Sequence, residues 1–335
     1  MRITRETLLK IAKDTVTQQV RARHDLASVF LIGSLLSDDP LLGGTTDIDL
    51  IFIHDRQPEE PREIVRMSPE ITLDIAHHSQ TDYNQPRHLR LHPWIGPAIR
   101  DSHIVFYDTQ HWFEFTQASV SSQFYLPENV YGRAQPSAAQ ARQIWLGLQT
   151  NHAEPGLDIF NYLQAVELAS NAVSGLTGSP LTERRFLVNF PERARAINQA
   201  GLVRSLLDLL GADQADPDHI KAWLPAWQEA YLAIQGQSGC PIRLHSERLL
   251  YYEKALETLL SSDMPAAALW PLLYTWADII HCLPNNPKLL ADWQKVCQQL
   301  HLDLDHFEEK LSLLDTYLDT VDEILDSWAK SNGIS

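Results

Sequence analysis

Between residues 46 and 53 the chain reads Thr46-Asp47-Ile48-Asp49-Leu50-Ile51-Phe52-Ile53, a hydrophobic strand signal that opens with two carboxylates one residue apart. No other stretch constrains the fold as tightly. Side chains alternate along a strand, so Asp47 and Asp49 face one way while Ile48, Leu50 and Phe52 face the other. Two carboxylates on one face at a strand end are costly to ionise together unless a cation lies between them. Mg²⁺ suits such a pair, because it takes hard oxygen ligands, uses one or two carboxylates and fills its octahedron with water and phosphate oxygens. Upstream, the apolar Leu31-Ile32 stops at Gly33-Ser34, and a turn-rich insert follows. Gly33 lets a backbone approach a phosphate closely, and Ser34 adds a hydroxyl and the N–H groups of the next turn.

A third acid is needed if two metal ions are to clamp the attacking and leaving oxygens of an in-line displacement. Ile71-Thr72-Leu73-Asp74-Ile75-Ala76 reads as another strand, bounded by Ser68-Pro69 and by the polar run Ser79-Gln80-Thr81-Asp82. Asp74 interrupts its apolar pattern. If this strand lies beside the first, Asp47, Asp49 and Asp74 form a triad of metal ligands, with two Mg²⁺ ions expected. A glycosyltransferase Asp-x-Asp also holds a divalent ion, but it normally follows a longer nucleotide-binding region than the 46 residues that precede Asp47.

Gly-Ser, a short spacer, Asp-x-Asp in a hydrophobic strand and a later strand Asp resemble the motif of the DNA polymerase β-type nucleotidyltransferase superfamily. Gly33, Ser34, Asp47, Asp49 and Asp74 match it residue by residue. His103-Ile104-Val105-Phe106-Tyr107-Asp108 is similar to the closing strand of the kanamycin nucleotidyltransferase-like branch. Leu176-Thr177-Gly178-Ser179-Pro180, followed by Glu183-Arg184-Arg185-Phe186-Leu187, resembles a stretch of that branch's helical domain, with Arg in place of Lys and Phe in place of Trp.

The resemblance implies a small mixed sheet with flanking helices, followed by an all-α domain. It implies ATP or another NTP as nucleotide donor, with Gly33, Ser34, Thr46 and Arg184 on the nucleotide and Arg185 beside them. It also implies a Glu of the helical domain as general base, for which Glu167, between Leu163 and Ser170-Asn171, is the candidate. The expected acceptor is a small molecule such as an aminoglycoside-like antibiotic. A protein hydroxyl, as in antitoxin-like minimal nucleotidyltransferases, is the alternative, and a non-catalytic nucleotide-binding module is a third reading.

Charge narrows the partners. Forty-three acidic residues face 27 basic ones, a net charge of −16. A protein that grips a long nucleic acid neutralises phosphates with Lys and Arg, so such a partner is not expected. An acidic surface favours cationic small molecules. No apolar run approaches the roughly 18 residues of a membrane span, and the start Met1-Arg2-Ile3-Thr4-Arg5-Glu6 lacks a signal-peptide core, so a cytoplasmic location without membrane partners is expected. Cys240, Cys282 and Cys297 are odd in number and far apart, which predicts buried free thiols.

The 335 residues are enough for two domains. A helix is predicted over 5–23, with Thr4 as N-cap, and strands over 27–33, 47–53, 70–76 and 103–107. A loop rich in His, Pro and Trp, including Pro86, His88, His92, Pro93 and Trp94, joins the last two. After Pro127 and Pro136 the texture turns helical, which gives a nucleotidyltransferase domain over 1–128 and a helical substrate or accessory domain over 129–335. Its helices are expected at 137–151, 157–176, 181–199, 201–210, 218–235, 246–261, 264–283, 287–300 and 303–330. The last carries an apolar stripe suited to a core or a homodimer face. Of the histidines beside the acidic strands, His78 shares the side of Asp74 by parity. His54, His77 and His78 lack the converging spacing of a zinc site and read as surface or cleft-rim imidazoles.

Overall fold

The computed structural model describes residues 3–150, 155–237 and 239–334. The chain divides into two compact units, Met1–Asn129 and Val130–Ser335.

The first unit opens with α1 (Arg5–Ala22), whose Thr4 side chain accepts the backbone N–H of Thr7 as an N-cap. Five strands follow: β1 (Leu26–Ile32), β2 (Thr46–His54), β3 (Arg62–Ser68), β4 (Ile71–Ser79) and β5 (Val105–Asp108). They form one mixed sheet in the order β3-β4-β2-β1-β5. Only β2 and β4 run parallel, and their register sets Asp47 against Thr72 and Asp49 against Asp74. β1 pairs antiparallel with β2 and β5, and β3 pairs antiparallel with β4.

Both faces of the central strands are covered. On one face Val29, Leu31, Ile48, Leu50, Phe52, Leu73 and Ile75 pack with Leu8, Ala12 and Val16 of α1. On the other, Phe30, Ile51 and Ile53 pack under α2 (Pro86–Leu91), α3 (Ile95–Asp101) and α4 (Trp112–Ser121), through Leu89, Ile99 and Phe113 among others. Each of the Val, Leu, Ile and Phe side chains among them, fully buried, stabilises the fold by about 1.5–3 kcal/mol. The two apolar faces hold β2 and β4 rigidly, so that acids on them keep a fixed spacing.

Two features differ from the sequence expectation. β3 was not among the predicted strands: it is an edge strand whose side chains are exposed or half-buried, so it lacks the apolar alternation that marks a strand. The segment expected as a His/Pro/Trp-rich loop contains α2 and α3. Pro86 occupies the first turn of α2, where a missing N–H costs nothing, so here a proline starts a helix.

The second unit is helical. The helix α5 (Pro127–Thr150) enters it, with Pro136 inside rather than before its start. Then come α6 (Pro155–Ser174), α7 (Phe186–Ala196), α8 (Leu202–Leu209), α9 (Pro217–Ala233), α10 (Leu249–Leu260), α11 (Leu269–Cys282), α12 (Pro287–Gln299) and α13 (Phe307–Ser331). Residue 151, the expected end of the first of these helices, lies outside the described residues. In α13 the apolar stripe of Phe307, Leu311, Leu314, Leu318, Val321 and Leu325 is buried within the chain's own core. The three cysteines are free, but only Cys297 is fully buried. Among the described residues no helix is long and apolar enough to cross a membrane.

Candidate metal centre

β2 and β4 bring Asp47, Asp49 and Asp74 together, with one ligand oxygen of each within 4.8 Å of the others. Asp47 and Asp74 are buried and Asp49 is partly exposed. The cluster follows from register. In a parallel pair, aligned residues point to the same face, so the Asp49–Asp74 alignment with Asp47 two residues earlier leaves all three on one side. That side is the one carrying Ile51 and Ile53. Carboxylates this close repel by about 3 kcal/mol or more per pair at an effective dielectric near 20. Folding them together therefore calls for positive charge.

Arg62 of β3 supplies part of it. Its Nε and Nη2 donate to the two oxygens of Asp74 at 2.5 and 2.6 Å, a bidentate pair. Arg62 is opposite Ala76 and Asp74 is opposite Ile64, so the contact is a diagonal one across the edge pair. A carboxylate has about four lone-pair sites, so Asp74 can hold Arg62 and a metal ion at once. Thr72 donates its hydroxyl to Asp47 Oδ1 at 2.7 Å and fixes that carboxylate. The donor set is one of hard oxygens, which fits Mg²⁺.

The turn after β1 lies against Asp49. Gly33 has φ +77°, and a methyl group placed on it would overlap the Asp49 carboxylate. Glycine is thus required twice, for the left-handed backbone and for the close approach of that turn to Asp49. Ser34 Oγ lies 3.4 Å from Thr46 Oγ1, and the Thr46 hydroxyl itself reaches the carbonyls of Pro40 and Asp47, both at 3.1 Å. Thr46 is buried and braces the insert between Gly33 and β2.

The remaining predicted residues, Glu167, Arg184 and Arg185, belong to the second unit. Glu167, on α6, accepts the Tyr274 hydroxyl at 2.6 Å beside a cavity of about 20 Å³ that Glu183, Arg243 and Tyr252 also line. Loss of water around its carboxyl raises its pKa, against the lowering effects of Tyr274 and Arg243. Arg184 is buried, donates to the carbonyl of Tyr251 at 2.9 Å and lies over that ring at 3.1 Å.

Sequence reasoning missed Thr72 and Arg62. Thr72 was within reach of parity, since it precedes Asp74 by two residues and so shares its face. Arg62 was hidden because its strand was. As parity requires, His78 shares the face of Asp74, and its Nδ1 is 2.6 Å from the Tyr83 hydroxyl. Of the expected surface or cleft-rim placement, the second holds for His54 and His77: they are only 2% and 5% exposed, and both line a cavity with a charged wall at the far ends of β2 and β4.

No protein-family model matches the chain, and no curated protein matches it. The mixed sheet with its aspartate triad is compatible with the nucleotidyltransferase fold that the motif resembles, and the triad can serve as a catalytic metal site.

Proposed function

We propose that the chain is a Mg²⁺-dependent nucleotidyltransferase that moves a nucleoside monophosphate, AMP in the first instance, from an NTP to a hydroxyl of a small molecule. The observation that carries this reading is the triad itself, three carboxylates within 4.8 Å beside a glycine turn that only glycine can form. In the reaction the acceptor oxygen bonds to the α-phosphorus, the bond from that phosphorus to the α–β bridging oxygen breaks, pyrophosphate leaves and the hydroxyl proton passes to a base. Bound at Asp47, Asp49 and Asp74, Mg²⁺ supplies Lewis-acid stabilisation of the charge developing on the phosphoryl and leaving oxygens.

The chain's own residues have separate tasks. Thr72 and Arg62 hold Asp47 and Asp74 in place. Gly33 and Ser34 offer backbone and hydroxyl to the phosphates, and Arg184 is assigned to the nucleotide. Glu167 is assigned the proton, a reading supported by its raised pKa, which brings a carboxylate nearer the range in which it works as a base.

The test is incubation with each α-labelled NTP, Mg²⁺ and a panel of amino-sugar, nucleoside and protein acceptors, with pyrophosphate and labelled product measured. Labelled small molecule supports the proposal. Labelled protein selects a protein hydroxyl as acceptor, and NTP binding without product selects a nucleotide-binding module.

A further inference from the structure

Where the loop between α12 and α13 meets the start of α6, the second unit holds a cavity of about 290 Å³, at the lower end of the size range of small-ligand sites. All of its lining residues belong to that unit, and it shares none with the cavity beside Glu167. Ile159, Leu302 and Phe307 give it an apolar wall. The loop that borders it is braced from within. Asp303 Oδ1 is 2.6 Å from His306 Nδ1, and the rings of His301 and His306 stack with centroids 4.3 Å apart. Such bracing favours a preformed site.

Charge is the first guide to what fills it. The charged residues that line the cavity, Asp158, Asp303 and Asp305, are all acidic, and no Lys, Arg or His is among the described lining residues. Asp158 is 4% exposed and stands in the first turn of α6, where the helix N-terminus favours negative charge. Cys297, also in the wall, adds no charge, because burial, helped by the charge of Asp303, pushes its thiol pKa well up.

The second guide is an indole. Trp293 lines the cavity, is 1% exposed, and its Nε1 has no acceptor among the described residues. A buried N–H left without an acceptor is costly, and native interiors rarely keep one. An oxygen brought by a bound molecule would satisfy it. Trp293 and Phe307 also offer aromatic rings, whose attraction for a cation adds to that of a carboxylate.

We propose that this cavity binds a small organic ammonium ion, an amine on an apolar body that carries an oxygen acceptor near the charge. Asp158 meets the ammonium group, Ile159, Leu302 and Phe307 enclose the body, and the Trp293 N–H donates to the oxygen. An anion would face three carboxylates with no lining cation to offset them, and a bare metal ion would leave the apolar wall without a partner. The site does not depend on the triad or on the transfer reaction.

The experiment is calorimetric titration of the full chain with probes of one size: 2-amino-1-phenylethanol, 2-phenylethylamine, 1-phenyl-1,2-ethanediol and mandelate. The amino alcohol should bind once per chain with a Kd of about 1 mM or tighter. The amine without a hydroxyl should bind about tenfold more weakly, and the uncharged diol and the anionic mandelate not measurably. Asp158→Asn should weaken the amino alcohol by about tenfold or more. Trp293→Phe keeps a ring but deletes the N–H, so it should erase the difference between the two amines, which a mere loss of shape would not do. Asp49→Asn should leave the affinity unchanged, which separates the cavity from the triad. Melting temperatures show whether the two buried variants fold, and the ranking of probes on the unsubstituted chain stands without them. Equal binding of diol and amino alcohol, preference for mandelate, or no binding of any probe at about 10 mM would each overturn the proposal.

Discussion

The triad of the first unit and Glu167 of the second both take carboxylates out of bulk water, by different means. In the triad, two parallel strands in register fix three acids side by side, with the Arg62 guanidinium on Asp74 and hard oxygens that could hold a divalent cation. Glu167 stands on a helix, where neighbours on one face are three or four residues apart, and the next acid beside it, Glu183, comes from another segment. Its carboxylate accepts the Tyr274 hydroxyl, and burial raises its pKa. A sheet edge groups acids into a donor set, whereas a helix isolates one acid and tunes when it ionises. The first arrangement suits metal binding and the second suits proton transfer.

The largest expected effect separates these two roles at once. Asp49→Asn should lower Mg²⁺-dependent transfer by about three orders of magnitude or more while the fold persists, because a lost carboxylate removes charge that balances the cation. Retention of activity within about tenfold would remove the triad from the mechanism. Gly33→Ala comes next: it forces a side chain into a left-handed backbone, at about 1–2 kcal/mol, and into the Asp49 carboxylate. Transfer should fall by about a hundredfold, with a lower melting temperature measured by calorimetry.

Glu167→Gln should leave NTP affinity near the parent value in equilibrium binding and reduce transfer by about a hundredfold, the usual range for a lost general base. Unchanged transfer would make Glu167 a structural residue. Arg62→Met should cost about tenfold in transfer, since it removes the bidentate partner of Asp74 without deleting the carboxylate, and should alter the Mg²⁺ concentration for half-maximal rate.

The smallest effect is on stability against pH. A raised carboxyl pKa means that the native state holds its proton more tightly than the unfolded chain does. The stability contributed by Glu167 is therefore greatest in acid and declines as pH rises from the ordinary glutamate range to the raised value. Glu167→Gln removes this decline. Melting curves of the two proteins should diverge in favour of the variant across that window, and parallel curves would mean that the native and unfolded pKa values coincide.

The triad was legible in the sequence because its logic is local: two apolar strands, an alternation of two and a polar interruption on each predict three acids on one face. The helical nature of the second unit was legible from the same kind of periodicity. Arg62 was not, because an edge strand with one wet face carries little apolar signal and its contact with Asp74 is diagonal. The burial of His54 and His77 was not legible, because a histidine after a strand reads as polar punctuation. Nothing local says that β2 and β4 extend through them to His54 and Ser79. The helices α2 and α3 were lost to prolines that start helices as readily as they end them.

The bidentate bond from Arg62 also has a kinetic side. β3 has strand hydrogen bonds to one neighbour only, and edge strands open more easily than central ones, so its amides should exchange with solvent ahead of those of β2. Each opening that draws Arg62 away would remove its bidentate bond to Asp74. Fraying of this outermost strand would therefore loosen the bidentate hold on the third carboxylate. Deuterium uptake along Arg62–Ser68, compared between the parent and Arg62→Met, reports that motion directly, as faster exchange in β3 against an unchanged β2.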